Sequence, residues 1–139
     1  MPILALDIGE KRTGLAISND VSTICTPLKF ISSENIDLFL TELKKILVEN
    51  KIKKIIVGLP ILLSGKEGTR AKFSRYISKR IKKANKNVDV ILWDERLSTK
   101  EAEKYLIKSG LSKSKIKDKI DSASAAIILE SYILGKQNG

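Results

Sequence analysis

The stretch Lys54-Ile55-Ile56-Val57-Gly58-Leu59-Pro60 constrains the fold of this chain more than any other part of it. Its apolar residues run without alternation, are largely β-branched and stop at Gly and Pro, the pattern of a strand buried on both faces as it enters a loop. Helical patterns flank it and can supply the covering layers. From Glu34 to Asn50 the apolar residues at 36, 39, 40, 43, 46 and 47 keep the helical period along one face. Beyond the loop, Ala71, Phe73, Tyr76, Ile77, Ile81 and Ala84 repeat that spacing, and Val88 to Trp93 reads as a further strand. Strands reached through helical crossovers run parallel to the strand they join.

The N-terminal part is patterned differently. Ile3-Leu4-Ala5-Leu6 before Asp7-Ile8-Gly9 predicts a buried strand ending in a turn, Thr13 to Ser18 its hairpin partner, and Leu28 to Ile31 a third strand. Past the last strand, Ser98-Thr99-Lys100-Glu101 has the form of a capping box opening a short helix to about Lys108, ended by Gly110. Ser109 to Lys117 reads as a loop, and a final helix is expected from about Asp118 to Leu134. The expectation is one α/β domain over residues 1–139, with a five-stranded mixed sheet (three antiparallel, then two parallel strands) flanked by helices.

Composition narrows the function. With 139 residues, 42% of them hydrophobic, the chain can bury a core without crosslinks. Its single Cys25 cannot make an internal disulfide, and without histidine no cluster has zinc-ligand spacing. No apolar run approaches the roughly 18 residues of a spanning helix, and the N-terminus goes straight into a strand pattern, so a cytoplasmic protein with no membrane partner is expected. The net charge of +10 suits polyanionic partners, although lysines on solvated helix faces would produce the same balance. Distribution says more than the total: the base concentrates in residues 44–54, 66–86 and 96–119, while several acids stand apart at strand ends.

Those acids carry the candidate chemistry. Asp7 closes the first strand at the edge where open α/β sheets place their sites, although Asp-x-Gly is also an ordinary turn sequence. Asp94-Glu95 reaches the same edge of the last strand, and because Ser98 already supplies the helix cap, a purely local capping duty for Glu95 is disfavoured. Asp121 opens the final helix, where Ala125 and Ile128 let the same face lie close to the sheet. Three carboxylates converging at one edge require a compensating cation, and an oxygen-only donor set suits Mg²⁺ or Mn²⁺. Two such ions about 4 Å apart could activate water and stabilise the leaving oxygen in phosphodiester cleavage. No aromatic side chain is expected near this site, which leaves base stacking undefined.

Four blocks, taken in order, resemble a known family. They are Leu4-Ala5-Leu6-Asp7-Ile8-Gly9-Glu10-Lys11-Arg12-Thr13-Gly14; Val57-Gly58-Leu59-Pro60 with Gly65-Lys66-Glu67-Gly68; Trp93-Asp94-Glu95-Arg96-Leu97-Ser98-Thr99; and Ile120-Asp121-Ser122-Ala123-Ser124-Ala125-Ala126. Together they span nearly the whole chain and are similar to the YqgF/RuvX proteins. The resemblance implies an RNase H-like fold and a divalent-metal nuclease, a hydrolase acting on ester bonds, that matures the 5′ end of 16S rRNA in ribosome biogenesis. Pre-rRNA is then the implied partner, with branched DNA as the alternative substrate and ribosomal particles as further partners. The family's acidic triad, catalytic and metal-binding, falls on Asp7, Glu95 and Asp121. Lys11, Arg12 and Arg96 match positions suited to phosphate contact, and Arg70 in the basic segment 66–86 is a further candidate. Two departures bear on substrate contacts: Ile61-Leu62-Leu63 stand where the family has an Asn after Gly-Leu-Pro, and Ser18-Asn19-Asp20 replaces Ser-Asp.

Other classes compete with this reading. The first block also resembles the phosphate-binding hairpin of the sugar kinase and actin superfamily, but those enzymes close two such domains over a nucleotide and 139 residues furnish one. A non-catalytic RNA-binding assembly factor would keep the fold and the acids without cutting. Among nucleases, a junction resolvase needs two sites related by a twofold axis, whereas an RNA trimmer can act alone; a monomer or weak homodimer is the expectation.

Overall fold

The structure is a computed structural model that describes residues 2–19, 24–95 and 124–135. Five strands, β1 (Ile3–Ile8), β2 (Arg12–Ser18), β3 (Thr26–Ser32), β4 (Lys54–Leu59) and β5 (Asp89–Asp94), form one sheet in the order β3-β2-β1-β4-β5. β2 runs antiparallel to both β1 and β3, while β4 is parallel to β1 and β5 to β4. This is the expected mixed sheet, with β1 at its centre and the unalternating run as β4.

Helices α1 (Ile36–Glu49) and α2 (Thr69–Ala84) make the two crossovers, and residues 124–135 form a third helix, α3. α1 starts just inside its expected span because Asn35 caps it, its side-chain oxygen accepting from the N–H groups of Asp37 and Leu38, each at 3.1 Å. It stops at Asn50 because Lys51 takes a left-handed conformation (φ 53°), and the N–H groups of Lys51 and Ile52 turn back to the carbonyls of Val48 and Leu47.

Alternation along the strands divides the core into two layers. Leu4, Leu6, Ile8, Leu15, Ile55 and Val57 face α1 and α2, packing against Phe39, Leu43, Ile77 and Ile81. On the other face Ala5, Ala16 and Ile56 meet Ala125, Ile128, Leu129 and Tyr132 of α3, with Ile91 and Trp93 of β5 beside them. Trp93 stands edge-on to Tyr132, centroids 5.3 Å apart, and donates from Nε1 to Ser131 Oγ at 3.1 Å. The small residues at 5 and 16 let α3 sit close to the sheet.

Among the described residues no helix is long and apolar enough to cross a membrane. The short helix expected from Ser98, the loop 109–117, the beginning of the final helix, Arg96 and Asp121 all lie outside the described residues.

Candidate active site

Strand parity decides which acids can meet. In β1 and β5 the odd-numbered residues Ala5, Ile91 and Trp93 belong to the α3 layer, and Asp7 and Glu95 continue that parity. Asp94 has the opposite parity, that of Val90 and Leu92, which pack in the layer under α1 and α2. Of the two adjacent acids, geometry therefore selects Glu95.

Asp7 is paired in register with Gly14 of β2, and its Oδ2 accepts a hydrogen bond from Ser124 Oγ in the first described turn of α3. Ser124 was given no role by sequence reasoning. The available signal was its spacing: it stands four residues before Ile128, on the stripe that faces the sheet.

Glu95 directly follows β5, and its Oε2 is sealed from solvent. Gly58 of β4 makes the room. A Cβ at that position would come within 3.5 Å of Glu95 Oε2 and 2.5 Å of Ile128 Cδ1, so the missing side chain admits both the acid and α3. Burial pushes the Glu95 carboxyl up to about 7; the Asp7 charge, a hydrogen bond with Asp7 and the Asp94 charge add to the rise, while Arg70 opposes it. The protonated form of Glu95 is thus favoured beside Asp7.

Basic residues rim this edge. Arg70 is exposed in the first turn of α2, close enough for its charge to act on Glu95. Lys11 and Arg12 are exposed on the turn that leaves β1, closed by Gly9 N–H donating to the Arg12 carbonyl at 3.1 Å. A Cβ on Gly9 would lie 2.7 Å from that carbonyl oxygen, which is why the turn has glycine there. The loop that carries Ile61-Leu62-Leu63 is a small hairpin, with Ile61 bridged to Glu67, and Arg75 holding Glu67 through two hydrogen bonds of 2.5 and 2.7 Å.

The structure thus brings Asp7 and Glu95 together with Arg70 in electrostatic reach and puts Lys11 and Arg12 on the turn that follows β1, whereas Asp121 and Arg96 fall outside the described residues. It also corrects the expectation that no aromatic stands near the site. Phe30 of β3 lies over Gly14: a Cβ there would be 3.1 Å from the ring Cε1 and 3.8 Å from Asp7 Cβ. The ring is remote from Asp7 in sequence and reaches it only through strand pairing.

An α/β domain of RNase H-like architecture, with a half-buried acidic pair at the C-terminal edge of its parallel strands, is the class that fold and site define. The chain belongs to the family described as "RuvX: Holliday junction resolvase", whose profile matches residues 1–134. It is similar to the "Putative pre-16S rRNA nuclease" of Geobacillus sp. (strain WCH70), 37% identical over 139 residues that cover 99% of this chain and 100% of the relative. The protein of that name from Rhodobacter capsulatus is 33% identical over 142 residues, 99% of this chain and 89% of the relative. In fold it is similar to Thermus thermophilus RuvC in complex with a Holliday junction substrate, with a TM-score of 0.65 at 13% identity over 100% of this chain and 96% of that one. The fowlpox virus Holliday junction resolvase gives a TM-score of 0.55 at 18% identity, covering 97% and 99%.

Proposed function

We propose that this chain is a divalent-metal-dependent nuclease that hydrolyses phosphodiester bonds at the Asp7–Glu95 edge, acting on the 5′ end of pre-16S rRNA. The observation that carries the reading is the acidic pair itself: two carboxyl groups, one in β1 and one just after β5, the latter half-buried and held up to about 7 beside the former. The rRNA assignment follows the relatives, which match at 33–37% identity over nearly the whole chain, whereas the resolvase structures resemble it in fold at 13–18%.

The donor set fits a hard cation. Asp7 and Glu95 offer carboxylate oxygens, neighboured by the Ser124 hydroxyl, and the proton on Glu95 is one that a divalent ion would displace. Asp121, outside the described residues, would complete the ligands as the resemblance implies. When bound, Mg²⁺ or Mn²⁺ lowers the pKa of water and neutralises charge on the leaving oxygen, as one ion or a two-ion site. Ser124 orients Asp7 through Oδ2. Gly58 keeps Glu95 seated in its recess. Lys11, Arg12 and Arg70, with Arg96, bind the phosphates on either side.

The test is cleavage of a short single-stranded RNA carrying the 16S 5′ precursor sequence, with Mg²⁺, Mn²⁺ or EDTA, by wild type and Asp7→Asn. Cutting is expected only with metal and wild type. Equal cutting by Asp7→Asn would remove the site assignment, and a preference for junction DNA, with paired cuts by a tight dimer, would move the substrate to branched DNA. A monomer or weak homodimer is expected in solution.

A further inference from the structure

We propose that Phe30 and Arg12 form a nucleobase platform beside Asp7, which takes an unpaired base of the substrate strand. The proposal rests on the nuclease reading and adds to it a binding site and a preference for single-stranded nucleic acid.

Three observations support it. Phe30 is 46% exposed and contributes to neither core layer, so its ring is not explained by folding. Its position is built by the sheet: Thr13 pairs with Ile31 but Leu15 with Leu28, so Lys29 and Phe30 together face Gly14 across a bulge. Since Gly14 has no side chain and pairs on its other flank with Asp7, the ring, the bare glycine and the acid form one row across β3, β2 and β1.

Arg12 supplies the second half of the platform. Its guanidinium carbon lies over the Phe30 ring at 5.0 Å from the centroid. A flat ring with a cation over it matches the chemistry of a nucleotide, whose base stacks on π faces and guanidinium planes while its phosphate takes N–H donors. A base within a duplex has both faces covered by its neighbours; an unpaired base has a face to give. The site therefore favours a single strand or a frayed end, with the stacked nucleotide anchoring the strand next to Asp7.

Binding, read separately from cutting, tests this. The Asp7→Asn protein in Mg²⁺ would be titrated with a short single-stranded RNA, with the same RNA in a duplex, and with copies carrying one abasic nucleotide at successive positions. Adding Phe30→Leu, which keeps apolar bulk and loses the π face, should weaken single-strand binding about tenfold, while Phe30→Tyr should stay within about twofold. The duplex should not distinguish Leu from Phe at this position, and one abasic position should abolish the difference. Equal single-strand affinity of the Leu and Phe proteins, or a loss that is the same for the duplex and for every abasic copy, would overturn the platform. Should Phe30→Leu prove unfolded by circular dichroism, the abasic scan on the Phe30 protein decides: a single weak position supports the proposal and a flat scan rejects it. Were the protein to bind and show this pattern but the wild type never to cut, the nuclease reading would fail and the platform would stand; binding to neither strand would remove both.

Discussion

Glu95 ties the chemistry of the site to the stability of the molecule. In the metal-free protein burial and Asp7 hold its carboxyl up to about 7, against 4.5 for an ordinary glutamate. Between those values the folded state binds more protons than the unfolded state, so stability is greatest below the lower value and falls as pH rises through the window. The loss is on the order of 3 kcal/mol, taking about 1.4 kcal/mol per unit. Thermal unfolding in EDTA should show a falling Tm across that window for wild type, and a flatter curve for Glu95→Gln. Identical curves would mean that the carboxyl is not held up by its neighbours. The resemblance picked Glu95 over the adjacent Asp94 without a physical reason; alternation of faces supplies one, since Glu95 shares the α3 face of Asp7 and Asp94 does not.

At the scale of elements, α3 depends on a residue with no side chain. Gly58→Ala places a methyl 2.5 Å from Ile128 Cδ1, which must move or push α3 outward. A stability loss of about 1–3 kcal/mol by denaturant titration is expected, with a loss of cleavage because Ser124 shifts with the helix and the methyl lies 3.5 Å from Glu95 Oε2. Ile128→Val removes the clashing atom and should recover part of both; no recovery would show that the packing contact is not the cause. α1 and α2 were legible because their apolar periods are long and local, and so was β4 because it is buried on both faces. β3 was legible only at its centre, Leu28 to Ile31, since five of its seven residues are exposed and the pattern is weak. Its bulge could not be read at all, because a bulge exists only in the pairing of two strands.

For the whole molecule, the net charge of +10 makes binding of a polyanion depend on salt. If Lys11, Arg12 and Arg70 each neutralise one phosphate of a single strand, affinity should fall about twentyfold between roughly 50 and 200 mM monovalent salt. A fluorescence-anisotropy titration that shows no salt dependence would place the contacts elsewhere. By itself the sequence determined the strands, the crossovers, the mixed sheet and the candidate acids, because hydrophobic period and turn chemistry are written in neighbouring residues. The tertiary structure alone decided that Ser124 reaches Asp7 from 117 positions away and that Phe30 lies next to the site, and it supplied the physical reason why Glu95 rather than Asp94 shares the face of Asp7. Each of these follows from strand register, strand parity or the seating of a helix, which arise only when distant segments pack.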